Sequence, residues 1–98
     1  MGQRKITIQE TAVHAVAQIS FFIEGKGLAQ TAKQFVDEAF LFFDKLADER
    51  LTHRPCGYLP WGLLQYRCAT FRRKYTVAYL AFDTEIIICD FAPSKLLV

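Results

Sequence analysis

The stretch LLQYRCATFRRKYTVAYLAFDTEIIICDFAPSKLL, residues 63–97, decides the fold. Leu64, Tyr66 and Cys68 alternate with Gln65 and Arg67, so the spacing predicts a strand over 63–70 with one face inward. Two further strands follow, over 75–82 and 85–91, and Asp83 and Thr84 mark a tight hairpin between them. Pro93 discourages direct continuation of an inner strand, and the apolar end of the 92–98 tail is expected to pack back onto the domain.

Upstream, the periodicity is helical. Ala12, Ala15, Val16, Ile19, Phe22 and Ile23 predict a helix over 11–24, with Thr11 placed as its N-cap. Gly25 and Gly27 bracket Lys26 and turn the chain back. A second helix over 28–48 then carries Leu28, Ala32, Phe35, Val36, Ala39, Phe42, Phe43 and Leu46 on one broad stripe. Phe40, Phe42 and Phe43 are too close in sequence to face one way, so one of them is expected outside the main core. Before the helices, Ile6 and Ile8 alternate as a short opening strand. After them, Pro55, Gly57, Pro60 and Gly62 make 50–62 a loop. The result is a single α+β domain over 1–98, ordered β-α-α-β-β-β. A helical hairpin covers one face of an antiparallel sheet, and the other face is open or lightly covered.

Composition fits a folded domain: 98 residues, 52% hydrophobic and 22% charged, far from the regime of disordered chains. The apolar runs are too short to span a bilayer and the N-terminus lacks a signal-peptide pattern, so a soluble cytoplasmic protein with no membrane partner is expected. Cys56, Cys68 and Cys89 are odd in number and widely spaced. That argues against a disulfide framework and for three small buried hydrophobes in a reducing compartment.

The net charge of +2 is unevenly laid out. Asp37, Glu38, Asp44, Asp48 and Glu49 cluster, whereas residues 50–82 contain Arg50, Arg54, Arg67, Arg72, Arg73 and Lys74 and no acid. Such a block either offers an anionic partner a landing surface or keeps a strand edge soluble.

The element order, the helix-Gly-helix segment ETAVHAVAQISFFIEGKGLAQTAKQFVDEAFLFFDKL at 10–46, and the strands in which "YR" opens one and "KYTVAY" forms the next together resemble the toxins of the RelE/ParE toxin–antitoxin superfamily. The resemblance covers nearly the whole chain and is closer to the ParE-like members. It implies a toxin, as in plasmid stabilisation systems, that is neutralised by a cognate antitoxin. ParE-like toxins bind DNA gyrase, whereas RelE-like ones cut mRNA on the ribosome.

Cleaving RNA without a metal needs a base, a phosphate-binding cation and an acid. Arg67 matches the basic position of the first strand after the loop, and Arg72, Arg73 or Lys74 suit phosphate. The RelE-like pattern then fails: Thr76 follows Tyr75 where an arginine is implied, and Leu96 follows Lys95 where another base is. Tyr66, Tyr75 and Tyr79 read as core or sheet-face aromatics. His53 is the exposed-looking imidazole of the loop and His14 lies near the polar side of the first helix, neither with an evident partner. His53 and Cys56 are spaced like half a metal site, with no second pair. No metal, cofactor or confident catalytic residue is expected. Arg67, Arg72, Arg73, Lys74, Lys95 and His53 stand as contact candidates for a target or nucleic acid. The alternatives are an mRNA endonuclease built on Arg67, Arg72, Arg73 and Lys74, and a non-toxic binding module. Sequence leaves the oligomeric state open.

Overall fold

A computed structural model describes residues 3–48 and 50–97. Strand β1 (Lys5–Ile8) leads into helices α1 (Glu10–Glu24) and α2 (Ala29–Lys45). A one-turn helix α3 (Leu59–Gly62) precedes strands β2 (Arg67–Phe71), β3 (Tyr75–Ala81) and β4 (Glu85–Pro93). The sheet order is β1-β4-β3-β2, with β2, β3 and β4 antiparallel as the hairpin pattern requires. β1 adds to the far side of β4 in parallel, because the two helices carry the chain away before it returns. No described helix is long and apolar enough to cross a membrane.

The α1–α2 hairpin lies on one sheet face. Ala12 and Val16 of α1, with Phe35, Ala39 and Phe43 of α2, meet Ala69, Phe71, Val77, Tyr79, Ile86, Ile88 and Phe91. Phe35 is the hub, with ring centroids 5.2 Å from Tyr75 and 6.1 Å from both Phe71 and Phe91. Such tilted and edge-on contacts add to the burial of the rings themselves. Of the three neighbouring phenylalanines of α2, Phe43 is fully buried, and Phe40 and Phe42 are half-buried against the same core. None lies outside it. The reason is the breadth of the apolar face, which lets Phe42 reach Phe71 (5.3 Å) on one side while Phe40 packs edge-on against Phe43 (5.4 Å) on the other.

The helix ends differ from the periodicity in instructive ways. Gln9, not Thr11, occupies the N-cap of α1. The Thr11 hydroxyl instead donates to the Cys89 carbonyl and ties the first turn of the helix to β4. α2 ends at Lys45, and its following carbonyls at Leu46, Ala47 and Asp48 accept the Arg4 guanidinium at 3.1–3.4 Å. A cation there satisfies exposed carbonyls and suits the negative end of the helix. Glu49, the last of the acidic group, lies outside the described residues, as does Val98.

The largest departures are in residues 50–66. Pro60 does not break structure here: it sits in the first turn of α3, where its missing N–H costs nothing. The turn winds on beyond α3, with the Gln65 amide bonded to Gly62 and the Tyr66 amide to Trp61, so β2 begins at Arg67 and not at Leu63. Gln65 takes a left-handed φ of 63° to make that exit. The segment folds across the second sheet face. There Trp61 and Cys56 pack on Ala78, with Tyr58, Tyr66, Cys68, Ala92 and Leu97 around them. That face is therefore covered, and Leu97 shows the tail packing back.

Cys56 and Cys68 form a disulfide, with their Cα atoms 5.0 Å apart, which corrects the reading of all three cysteines as unpaired thiols. The pairing was hidden because the contact depends on how 50–66 folds, not on spacing. Cys89 is free and buried.

Replacing Phe35 with Ala removes the hub of the first core and is expected to cost about 3–5 kcal/mol. Denaturant unfolding followed by circular dichroism measures it directly.

Candidate functional site

The β2–β3 turn sets most of the candidate cations. Arg72 and Arg73 both have positive φ (55° and 60°), and the Lys74 amide closes the turn onto the Phe71 carbonyl at 3.2 Å. Two consecutive left-handed residues are what a tight hairpin with the strand's own twist requires. In residues with a Cβ, each costs about 1–2 kcal/mol. Arg72 offsets part of this. Its guanidinium pairs with Glu38 of α2, with Nε 3.0 Å from Oε1, and lies 5.4 Å from the Phe71 ring centroid and 5.9 Å from that of Phe35. Arg72 thus fastens the turn to α2.

Arg73 and Lys74 have no such use. They line a groove of about 660 Å³ together with Lys95 from the tail and Lys26 from the α1–α2 connection. Its remaining walls are Gln18, Ile19, Phe22, Tyr75, Pro93 and Ser94, with no carboxylate among them. The tail is held in place by the Ser94 amide donating to the Lys74 carbonyl (2.8 Å) and by the Thr76 and Ser94 hydroxyls sharing a hydrogen bond (2.7 Å). Among the described residues, none of these four cations has a carboxylate within 4.0 Å. Their charge is available to an anionic partner. Lys26 is absent from the sequence-derived set, since only the folded helical hairpin brings it beside Lys95; Lys26 Nζ lies 4.5 Å from the Phe22 ring centroid.

Arg67 and His53 lie elsewhere, at the opposite end of β2, roughly 16 Å of extended chain from Arg72. His53 does have a partner: its Nδ1 is 2.5 Å from the Tyr79 hydroxyl, and the two rings meet edge-on. Tyr79 is buried, so its hydroxyl needs a partner inside the protein, and His53 supplies one. Arg67 donates to the His53 carbonyl at 3.0 Å and braces the same loop. Burial pushes the His53 imidazole below the ordinary value of 6.5 and the Tyr79 phenol above its own. With Thr52, Arg54, Pro55, Cys68 and Thr70, His53 and Arg67 line a shallow recess.

The six candidates therefore divide in three. Arg73, Lys74 and Lys95 come together with Lys26; Arg67 and His53 come together with Arg54; Arg72 is bound to α2. The combination of Arg67 with Arg72, Arg73 and Lys74 in one basic site is not assembled. Tyr75 is half-buried on the first core, and Tyr66 packs on the second face.

No protein-family model matches the chain, and no curated protein matches it. A chain of the solved structure described as the chromosomal ParDE TA system from P. aeruginosa superposes with a TM-score of 0.76. The match is 14% identical and covers 95% of this chain and 98% of that one. The two chains share one fold. The likeness runs over nearly the whole length of both, and the RelE/ParE-like α+β fold expected from the resemblance is the fold observed.

His53 yields a pH test. A depressed imidazole favours the neutral form in the folded state, so its contribution is fully present above pH 6.5 and is lost as pH falls through the folded value. Asp48, held down to about 2 chiefly by its hydrogen bond from Arg50, only loses its contribution below about 4. Between pH 7 and 5 thermal stability should fall in the native protein and fall less in His53→Gln. Proton NMR should place the His53 titration below 6.5.

Proposed function

We propose that this chain is the toxin of a toxin–antitoxin pair, of the ParE-like kind, acting in the cytoplasm by occupying a macromolecular target such as DNA gyrase and silenced by a cognate antitoxin. The observation that carries the reading is end-to-end likeness in fold to a chain of a ParDE TA system. The site chemistry supports occupancy over turnover. Arg73, Lys74, Lys95 and Lys26 give a groove of cations over an apolar floor, which suits binding. They come with no carboxylate or imidazole in the groove lining, and Thr76 and Leu96 stand where the nuclease pattern calls for basic residues.

The mRNA endonuclease reading draws on Arg67 and Arg72–Lys74, which lie at opposite ends of β2, with Arg72 engaged by Glu38. His53, the candidate for proton transfer, has its Nδ1 engaged by Tyr79. These placements favour the binding reading.

Induced expression in a bacterial host without antitoxin is expected to arrest growth, with DNA supercoiling disturbed and transcripts intact. Arg73→Glu with Lys74→Glu should relieve the arrest while the purified variant keeps its circular dichroism spectrum. Cleaved transcripts would replace this reading with the endonuclease, and unimpaired growth with the non-toxic binding module.

A further inference from the structure

The one covalent crosslink of the described residues holds a segment that has little else to hold it. The chain leaves the sheet region at Cys56 and rejoins it at Cys68, a separation of 12 residues. At this neck the Cys56 amide bonds to the Tyr66 carbonyl (3.0 Å) and the Cys68 amide to the Arg54 carbonyl (3.1 Å). Between them, the backbone hydrogen bonds of residues 57–65 are all local, within the turn of α3 and its exit. The segment's grip on the sheet is the packing of Tyr58, Trp61 and Tyr66 around Ala78 and Ala92. Its outer surface presents Leu59, Leu63 and Leu64, each more than half exposed.

The two cysteines are not equally exposed. Cys56 is buried beneath the segment, whereas Cys68 is half-buried and lines the recess with His53, Arg54 and Arg67. That recess contains no carboxylate. A positive, reachable surrounding favours the thiolate and draws anionic thiol reagents, which are the conditions under which a cysteine exchanges.

We infer that Cys56 and Cys68 form a reversible redox site whose oxidation locks residues 57–66 onto the sheet and whose reduction releases them. The oxidant is a low-molecular-weight disulfide such as oxidised glutathione. The Cys68 thiolate attacks one sulfur of it, breaking that S–S bond and releasing one glutathione thiolate. The Cys56 thiolate then attacks the Cys68 sulfur, forming the Cys56–Cys68 bond and expelling the second glutathione. Two protein thiols become one disulfide, and one glutathione disulfide becomes two thiols. Excess reduced glutathione runs the exchange backwards. In a reducing compartment the released form prevails, and an oxidising shift closes the clamp. The inference holds whatever target the toxin reading assigns.

Trp61 is the only tryptophan of the chain and sits inside the clamped segment, so it reports the state directly. The full chain would be equilibrated across graded ratios of reduced to oxidised glutathione. Thiols would be counted by alkylation and mass spectrometry, Trp61 emission recorded, and hydrogen exchange followed by peptide. Reduction should shift Trp61 emission to the red and speed exchange of residues 57–66 roughly tenfold or more, with β3 and β4 still protected. Cys89→Ser should behave like the native chain, and Cys56→Ser with Cys68→Ser should show the released signature at every ratio. Three results would each overturn the inference: identical emission and exchange in mass-verified oxidised and reduced protein, failure of the pair to oxidise, and loss of protection throughout β3 and β4 on reduction. The last would make the bond a staple of the whole fold.

Discussion

Phe35 is the contact on which the arrangement depends. One ring on the inner face of α2 touches Phe71 at the end of β2, Tyr75 at the start of β3 and Phe91 near the end of β4. These three strand positions lie side by side at one end of the sheet, with Phe71 paired to Tyr75 and Phe91 to Val77. Burial of a large ring is worth several times the net value of a hydrogen bond, so packing around Phe35 fixes where α2 sits. Where α2 sits then fixes Glu38, one turn away, against Arg72. The β2–β3 turn is held by a helix it does not follow in sequence, and the groove beside it inherits its shape.

That dependence explains why neighbouring arginines have different fates. Arg72 contributes its charge to the fold, through Glu38 and the faces of two core rings. Arg73, next along the same left-handed turn, contributes only conformational cost, since a glycine would occupy φ of 60° more readily. Strained backbone carrying an unpaired cation into a groove is the pattern expected where binding, not stability, shapes a position. The single ion pair from α2 to the turn leaves Arg73 and Lys74 directed to the groove shared with Lys26 and Lys95.

The parts of the fold set by local periodicity were legible from sequence: both long helices, the hairpin glycines, and the β3–β4 hairpin at Asp83–Thr84. So was much of the helical side of the core, including Val16, Phe35, Ala39 and Phe43. What escaped was set by contacts distant in sequence. The Arg72–Arg73 turn lacks the Asn-Gly chemistry that announces such a hairpin. Residues 50–66 read as breakers because proline and glycine carry no periodicity, yet one proline starts a helical turn and the segment closes the second face. The Cys56–Cys68 bond and the His53–Tyr79 hydrogen bond both follow from that closure and leave no trace in spacing. Of the groove, three of four cations were visible as a basic block and its outlier Lys95. Lys26 needed the folded helical hairpin.

Under the proposed function the chain acts by occupying its target and not by turning over a substrate. The most direct measurement titrates purified protein into a DNA gyrase supercoiling reaction at several fixed gyrase concentrations, with a translating extract run alongside to follow mRNA. The amount giving half-inhibition is expected to rise in step with the gyrase present, while mRNA in the extract stays whole. Unaffected supercoiling, together with mRNA cut by amounts of protein far below those of the ribosomes, would contradict it.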